Sequence, residues 1–154
     1  MRKLTFAMNV SLDGYVAAPG DDLGWSVPSD EVFQWWSDRV GATSLALYGR
    51  RLWETMSPFW PTADQHPDVT PEQIEYAQRW VEMPKVVFSS TISELKGNAR
   101  LVSGDAATEI SRLKAEDGGG IPFFTALDEW ADLTLVETRS FAGGVLLTRY
   151  ETRR

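Results

Sequence analysis

At 154 residues with 43% apolar side chains, the chain is long enough for one domain with a sizeable core and too short for two independent ones. Its net charge of −7 excludes a general nucleic-acid binder, which needs a basic face to neutralise phosphates, although a local arginine cluster can still hold one small phosphate. The absence of cysteine excludes disulfides, thiolate catalysis and cysteine-ligated zinc or iron–sulfur sites, and it fits a cytoplasmic protein.

The elements follow in chain order. Met1 to Met8 carries two basic residues and a short apolar run that leads into Asp13-Gly14, so Leu4–Val10 reads as a first strand and not as a signal peptide. Ser11-Leu12-Asp13-Gly14-Tyr15 reads as a turn in which Gly14 supplies positive φ, and 18–25 as a loop ending on Trp25. A helix is expected from near Ser29, with Asp30 and Glu31 in its first turn, Val32, Phe33, Trp36 and Val40 on one face, and Gly41 at its end. Ser44–Tyr48 is an apolar strand that breaks at Gly49 and continues as a helical pattern until Pro58 and Pro61. Thr70, Pro71 and Gln73 predict a capped helix start, with Ile74, Ala77 and Val81 on one face. Lys85–Phe88 reads as a short buried strand running into Ser89-Ser90-Thr91, and Asn98–Val102 as another. A helix with Ala106, Ile110 and Leu113 on one face follows Gly104-Asp105. Leu133–Thr138 and Val145–Tyr150 close the chain as an antiparallel hairpin joined near Ala142-Gly143-Gly144. Alternating strands and helices make this an α/β chain. No run approaches the ~20 apolar residues needed to cross a bilayer, so no membrane partner is expected.

Three features bear on chemistry. The Gly49-Arg50-Arg51 turn places two guanidinium groups where a strand passes into a helix, which suits a phosphate; the alternative is a plain turn with its arginines solvated or paired with Glu54. The hydroxyls of Ser89, Ser90 and Thr91, just after a strand, can donate to a phosphate or simply cap a turn. Seven tryptophans and seven phenylalanines exceed what a minimal core needs, so some are expected to line a cleft where flat rings stack. The sole histidine, His66, lies in a polar loop, which argues against a Ser-His-Asp triad or a multi-histidine metal site.

Four blocks then carry a resemblance: Met8-Asn9-Val10-Ser11-Leu12-Asp13-Gly14-Tyr15-Val16-Ala17, Leu47-Tyr48-Gly49-Arg50-Arg51-Leu52-Trp53-Glu54, Pro84-Lys85-Val86-Val87-Phe88-Ser89-Ser90-Thr91 and Phe141-Ala142-Gly143-Gly144-Val145-Leu146-Leu147-Thr148-Arg149-Tyr150. In this order they resemble the dihydrofolate reductase-like family, and more narrowly the C-terminal reductase domain of the riboflavin-pathway deaminase/reductase. The resemblance implies one three-layer α/β domain over 1–154, with a mostly parallel central sheet and a C-terminal antiparallel hairpin. It implies an NADPH-dependent reductase acting on a small molecule of pterin-like or ribosylaminopyrimidine-like type. Gly49, Arg50, Arg51, Ser89, Ser90 and Thr91 would hold cofactor phosphates, Asp13 would be the substrate-facing catalytic acid, and Asn9 and Trp25 would face the substrate.

One departure stands out. Where relatives carry a strand, a glycine pair, a helix and further strands, Gly118-Gly119-Gly120 runs straight into Ile121-Pro122-Phe123-Phe124, as if a few dozen residues had been excised. Loss of an interior strand leaves two sheet edges in need of partners and removes part of the dinucleotide cradle. The flanking strands close up, a second chain supplies pairing, or the sheet is split. A homodimer is expected, with the apolar hairpin as a contact surface. The alternative to a reductase is a shortened, non-catalytic relative that binds a ligand or a partner.

Overall fold

The computed structural model describes residues 4–20, 22–24, 28–115 and 132–152. These comprise helices α1 (Asp30–Gly41), α2 (Arg50–Met56), α3 (Pro71–Glu82) and α4 (Ala106–Ala115), and strands β1 (Ala46–Gly49), β2 (Lys85–Phe88), β3 (Ala99–Val102), β4 (Leu133–Ser140) and β5 (Leu146–Thr152). Short 3₁₀ turns occupy Trp60–Gln65 and Ala142–Gly144. None of the described helices is long and apolar enough to cross a membrane. The chain forms two compact units, one of residues 34–109 and the other of residues 1–33 with 110–154.

The 34–109 unit is a parallel three-stranded sheet in the order β1-β2-β3. Its central strand is buried along most of its length, with Val86 and Val87 almost fully enclosed. Four-residue strands provide few apolar side chains, and aromatic residues complete the core. Trp80 on α3 stacks on Trp53 of α2, ring centroids 5.9 Å apart, and its indole N–H donates to the Tyr48 hydroxyl of β1 at 2.9 Å. Trp60 packs against Tyr76 at 4.5 Å. Tyr48, Trp53, Tyr76 and Trp80 are all buried in this core. The start of α3 is as the sequence predicts: the Thr70 hydroxyl accepts from Gln73 N–H, and the Gln73 side chain accepts from Thr70 N–H. Arg79, later in α3, donates to the Ser37 carbonyl at 3.0 Å.

In the other unit, β4 and β5 pair antiparallel with a bulge at Val136, and Gly143 and Gly144 at φ 79° and 80° make the turn between them. Glu31, in the first turn of α1, receives Arg139 at 2.8 Å and the Ala142 N–H at 3.4 Å, and these contacts hold its carboxyl below the usual range. The expected strand over Leu4–Val10 is not formed: the segment has no ladder partner among the described residues, and Phe6, Met8 and Val10 are exposed. Apolar content gives strand potential, but a strand exists only against another backbone. β1 is likewise paired on one side only among the described residues. The segment Gly118–Gly120 lies outside the described residues.

Lys85, the first residue of β2, is buried. Its ammonium donates to the carbonyls of Trp80 and Met83 at the end of α3 and sits 4.2 Å from the Trp80 ring centroid. Those contacts favour the charged form, yet no carboxylate is among them, and burial pushes the group from 10.5 down to about 8. Below pH 8 the lysine is protonated in folded and unfolded chains alike, and the cost of burying its charge is fully present. Between about 8 and 10.5 the folded chain has released the proton while the unfolded chain keeps it, so stability rises with pH across that window. Measured by urea denaturation, the parent chain should gain stability relative to Lys85→Met from pH 8 to pH 10. Parallel pH profiles of the two proteins would show that Lys85 titrates as an ordinary lysine.

Candidate functional site

The parallel register decides which residues can meet. Gly49, Phe88 and Val102, the last residues of β1, β2 and β3, are aligned as partners in one row. The next residue on each chain, Arg50, Ser89 and Ser103, therefore leaves the sheet at the same carboxyl edge, although they are far apart in sequence. Ligands of open parallel sheets bind outside the carboxyl ends of the strands. Here that edge opens into a cleft of about 390 Å³ lined by Arg50, Phe88, Ser89, Ser90, Thr91, Val102, Ser103 and Gly104. None of the lining residues is a carboxylate, while one guanidinium and four hydroxyls are present.

Each polar group has a distinct local role. Arg50 opens α2 and pairs with Glu54 one turn later at 2.7 Å, with both side chains about half exposed. Exposed pairs of this kind are worth about 0.3–0.5 kcal/mol, so a phosphate dianion can displace Glu54 from the guanidinium. Ser89 Oγ accepts from the backbone N–H groups of Thr91 at 3.1 Å and Ile92 at 3.0 Å, and it shares a hydrogen with Thr91 Oγ1. It shapes the turn. Ser90 and Thr91 stand exposed at the cleft. On the far side, Asp105 caps α4 by accepting from the Thr108 N–H and hydroxyl, which holds its carboxyl below the usual range.

The structure thus brings Arg50, Ser89, Ser90 and Thr91 together. Gly49 forms the last position of β1 with extended backbone at φ −79° and caps α2 without a side-chain bond. Arg51 is exposed and does not line the cleft. With seven residues, α2 is two turns long and adds little dipole, so positive charge at the cleft comes from Arg50 itself. Ser103 and Gly104 join the site without having been singled out; their signal was the recurrence of a strand ending in small polar residues before a helix cap. Asp13 lies in an exposed turn, accepting the Ser11 hydroxyl at 2.6 Å, and the same Ser11 oxygen accepts from the Tyr15 N–H. Asn9 is half-buried just before this turn, and Trp25 lies outside the described residues.

Comparison with known proteins agrees with this architecture. The family model of the RibD C-terminal domain matches residues 2–135. YyaP of Bacillus subtilis (strain 168), an uncharacterized protein, is 20% identical, and the match covers 97% of this chain and 94% of YyaP. That alignment runs over 183 positions against the 154 residues present, so at least 29 of them (183 minus 154) have no counterpart here. A solved structure from Shewanella sp. PV-4, whose name assigns it provisionally to riboflavin biosynthesis, superposes with a TM-score of 0.60 at 20% identity, covering 96% of this chain and 97% of that one. It shares the fold.

The two serines should separate on mutation. Ser89→Ala strips a cap from two backbone N–H groups and should cost about 1 kcal/mol of stability, whereas Ser90→Ala should stay within about 0.5 kcal/mol. Thermal denaturation of both variants checks this, and equal losses would assign Ser90 a structural role as well.

Proposed function

We propose that this chain, which belongs to the RibD C-terminal domain family, is an NADPH-dependent reductase that passes a hydride to a pterin-like or ribosylaminopyrimidine-like small molecule. The observation that carries the reading is the alignment of Arg50, Ser89 and Ser103 along one carboxyl edge, with Ser90 and Thr91 beside them and no carboxylate lining the cleft. A phosphate monoester dianion needs this kind of donor set, and a ribose hydroxyl does not. The chemistry of the cleft therefore suits the 2′-phosphate that distinguishes NADPH from NADH.

When bound, NADPH supplies the hydride. Arg50, now paired with Glu54, would hold the 2′-phosphate, and the Ser90 and Thr91 hydroxyls would donate to it. Ser89 keeps that loop in shape through its bonds to Thr91 and Ile92. Phe88 and Val102 give the cleft an apolar wall for the flat faces of a nucleoside. Asp13 serves the substrate: with one hydrogen bond from Ser11 its carboxylate keeps lone pairs for a ring N–H, and it orients the proton the reduced product requires. Asn9, which the resemblance also places toward the substrate, would lie near the same ring.

A second reading, a nucleotide-binding module without turnover, is favoured by the 29 or more alignment positions this chain lacks. Titration of the full chain with NADPH and NADH, following energy transfer from tryptophan to the reduced nicotinamide, tests the first and separates it from the second. NADPH should saturate at micromolar concentration and NADH bind at least ~10-fold more weakly. Arg50→Ala should cost about 1.5–3 kcal/mol, the range of a hydrogen bond to a charged group, while Arg51→Ala should change affinity less than ~3-fold. Equal affinity for the two cofactors, or none in a folded sample, overturns the proposal. Tight NADPH binding without oxidation by any pterin or aminopyrimidine acceptor selects the module.

A further inference from the structure

The guanidinium at the cleft carries its own counter-ion. Arg50 Nη1 donates to Glu54 Oε2 at 2.7 Å, and the two side chains are 43% and 50% exposed. A spacing of four residues sets both on one face of α2. The backbone beneath them is held, because Trp53, the residue before Glu54, is buried and stacks on Trp80. The carboxylate therefore stays within reach of the guanidinium whether or not a ligand is bound. Arg50 lines the cleft and Glu54 does not, so the carboxylate reaches Arg50 from outside the space a ligand fills.

A phosphate and Glu54 compete for one fork. Arginine grips a phosphate through two parallel N–H donors, and Nη1 is engaged as long as the pair is made. Each binding event breaks the pair, and the displaced carboxylate remains one helical turn from the bound dianion, where like charges repel. Each departure is the reverse: the carboxylate closes on the guanidinium as the phosphate leaves. A neutral ribose hydroxyl in the same place leaves the pair intact and meets neither effect. Because the pair is exposed it is modest in strength, and it lowers phosphate affinity by a factor of about 2 to 5 without closing the site.

We propose that Glu54 is a positioning residue of the cleft, a resident counter-ion that takes Arg50 back from the phosphate and so speeds ligand release. The proposal rests on the reading of the cleft as a phosphate site. Stopped-flow energy transfer from tryptophan to NADPH, on the full chain, gives both rate constants. Glu54→Gln should tighten NADPH about 2- to 5-fold, mostly by slowing dissociation, and should leave NADH within ~1.5-fold. Glu82→Gln removes the same charge at the opposite edge of the sheet, where α3 precedes β2, and should leave NADPH affinity unchanged. In an Arg50→Ala chain, Glu54→Gln should have no effect, because the carboxylate acts only through the guanidinium. At ~0.5 M salt the parent and Glu54→Gln should converge, since exposed charges are screened. If Glu54→Gln fails to fold, Glu54→Ala is read in its place, with the same shift expected. Calorimetric titration with adenosine 2′-monophosphate separates the two readings: the same gain for this nucleotide upholds the role of Glu54 even in a chain that rejects NADPH. NADPH affinity that is unchanged or weaker in Glu54→Gln, a gain shared by Glu82→Gln, or one that persists without Arg50 overturns the proposal and leaves the reductase reading standing. A folded parent chain that binds neither NADPH nor the nucleotide overturns both.

Discussion

Everything at the cleft depends on the register of a very short parallel sheet. Parallel strands all leave at the same edge, so once Gly49, Phe88 and Val102 share a row, the residues that follow them have no choice of neighbourhood. A slip of one residue would turn every side chain of a strand to the other face. For β1 that would swing the Tyr48 hydroxyl away from the Trp80 indole N–H and unseat Trp80 from Trp53. The buried aromatic cluster and the exposed donor row are thus two consequences of one alignment. The core enforces the register, and the register assembles the cleft.

Local chemistry was legible where the signal and its partner lie within one turn of chain. The capping box at Thr70 and Gln73, the end of α2 ahead of Pro58, and β2 over Lys85–Phe88 are all determined by neighbouring residues. Leu4–Val10 was not legible in this way, because a strand is completed by a backbone elsewhere and the sequence of the segment does not say whether that backbone exists. Composition likewise counts the rings without placing them: Trp53 and Trp80 fill the core of a sheet with four-residue strands, while Phe88 lines the cleft. At the site, the sequence pointed to Arg50 and the Ser-Ser-Thr run but could not divide Ser89, which shapes the loop, from Ser90, which faces outward. Ser103 went unnoticed because only the register makes it a neighbour of Ser89.

Charge is placed economically throughout. The cleft holds a guanidinium tied to a carboxylate by an exposed, weak pair, so the positive charge is kept in place without being committed. Lys85 is the opposite case, a cation enclosed by helix-end carbonyls and an indole ring, where it closes the turn from α3 into β2. One charge stands exposed at the cleft and the other belongs to the scaffold, and exposure separates the two more clearly than residue type does.

The contiguity of the 34–109 unit has a consequence for biosynthesis. The three parallel strands found among the described residues, and every residue lining the cleft, lie within one uninterrupted stretch of chain. That stretch leaves the ribosome before β4 and β5 are translated, and domains fold as units from the N-terminal side during synthesis. The other unit is assembled from both ends of the chain: Glu31 and Arg139 are 108 residues apart, and their pairing waits for the C-terminal hairpin to emerge. The cleft can therefore mature on the nascent chain before β4 and β5 are translated, while the unit that holds the hairpin is completed only later.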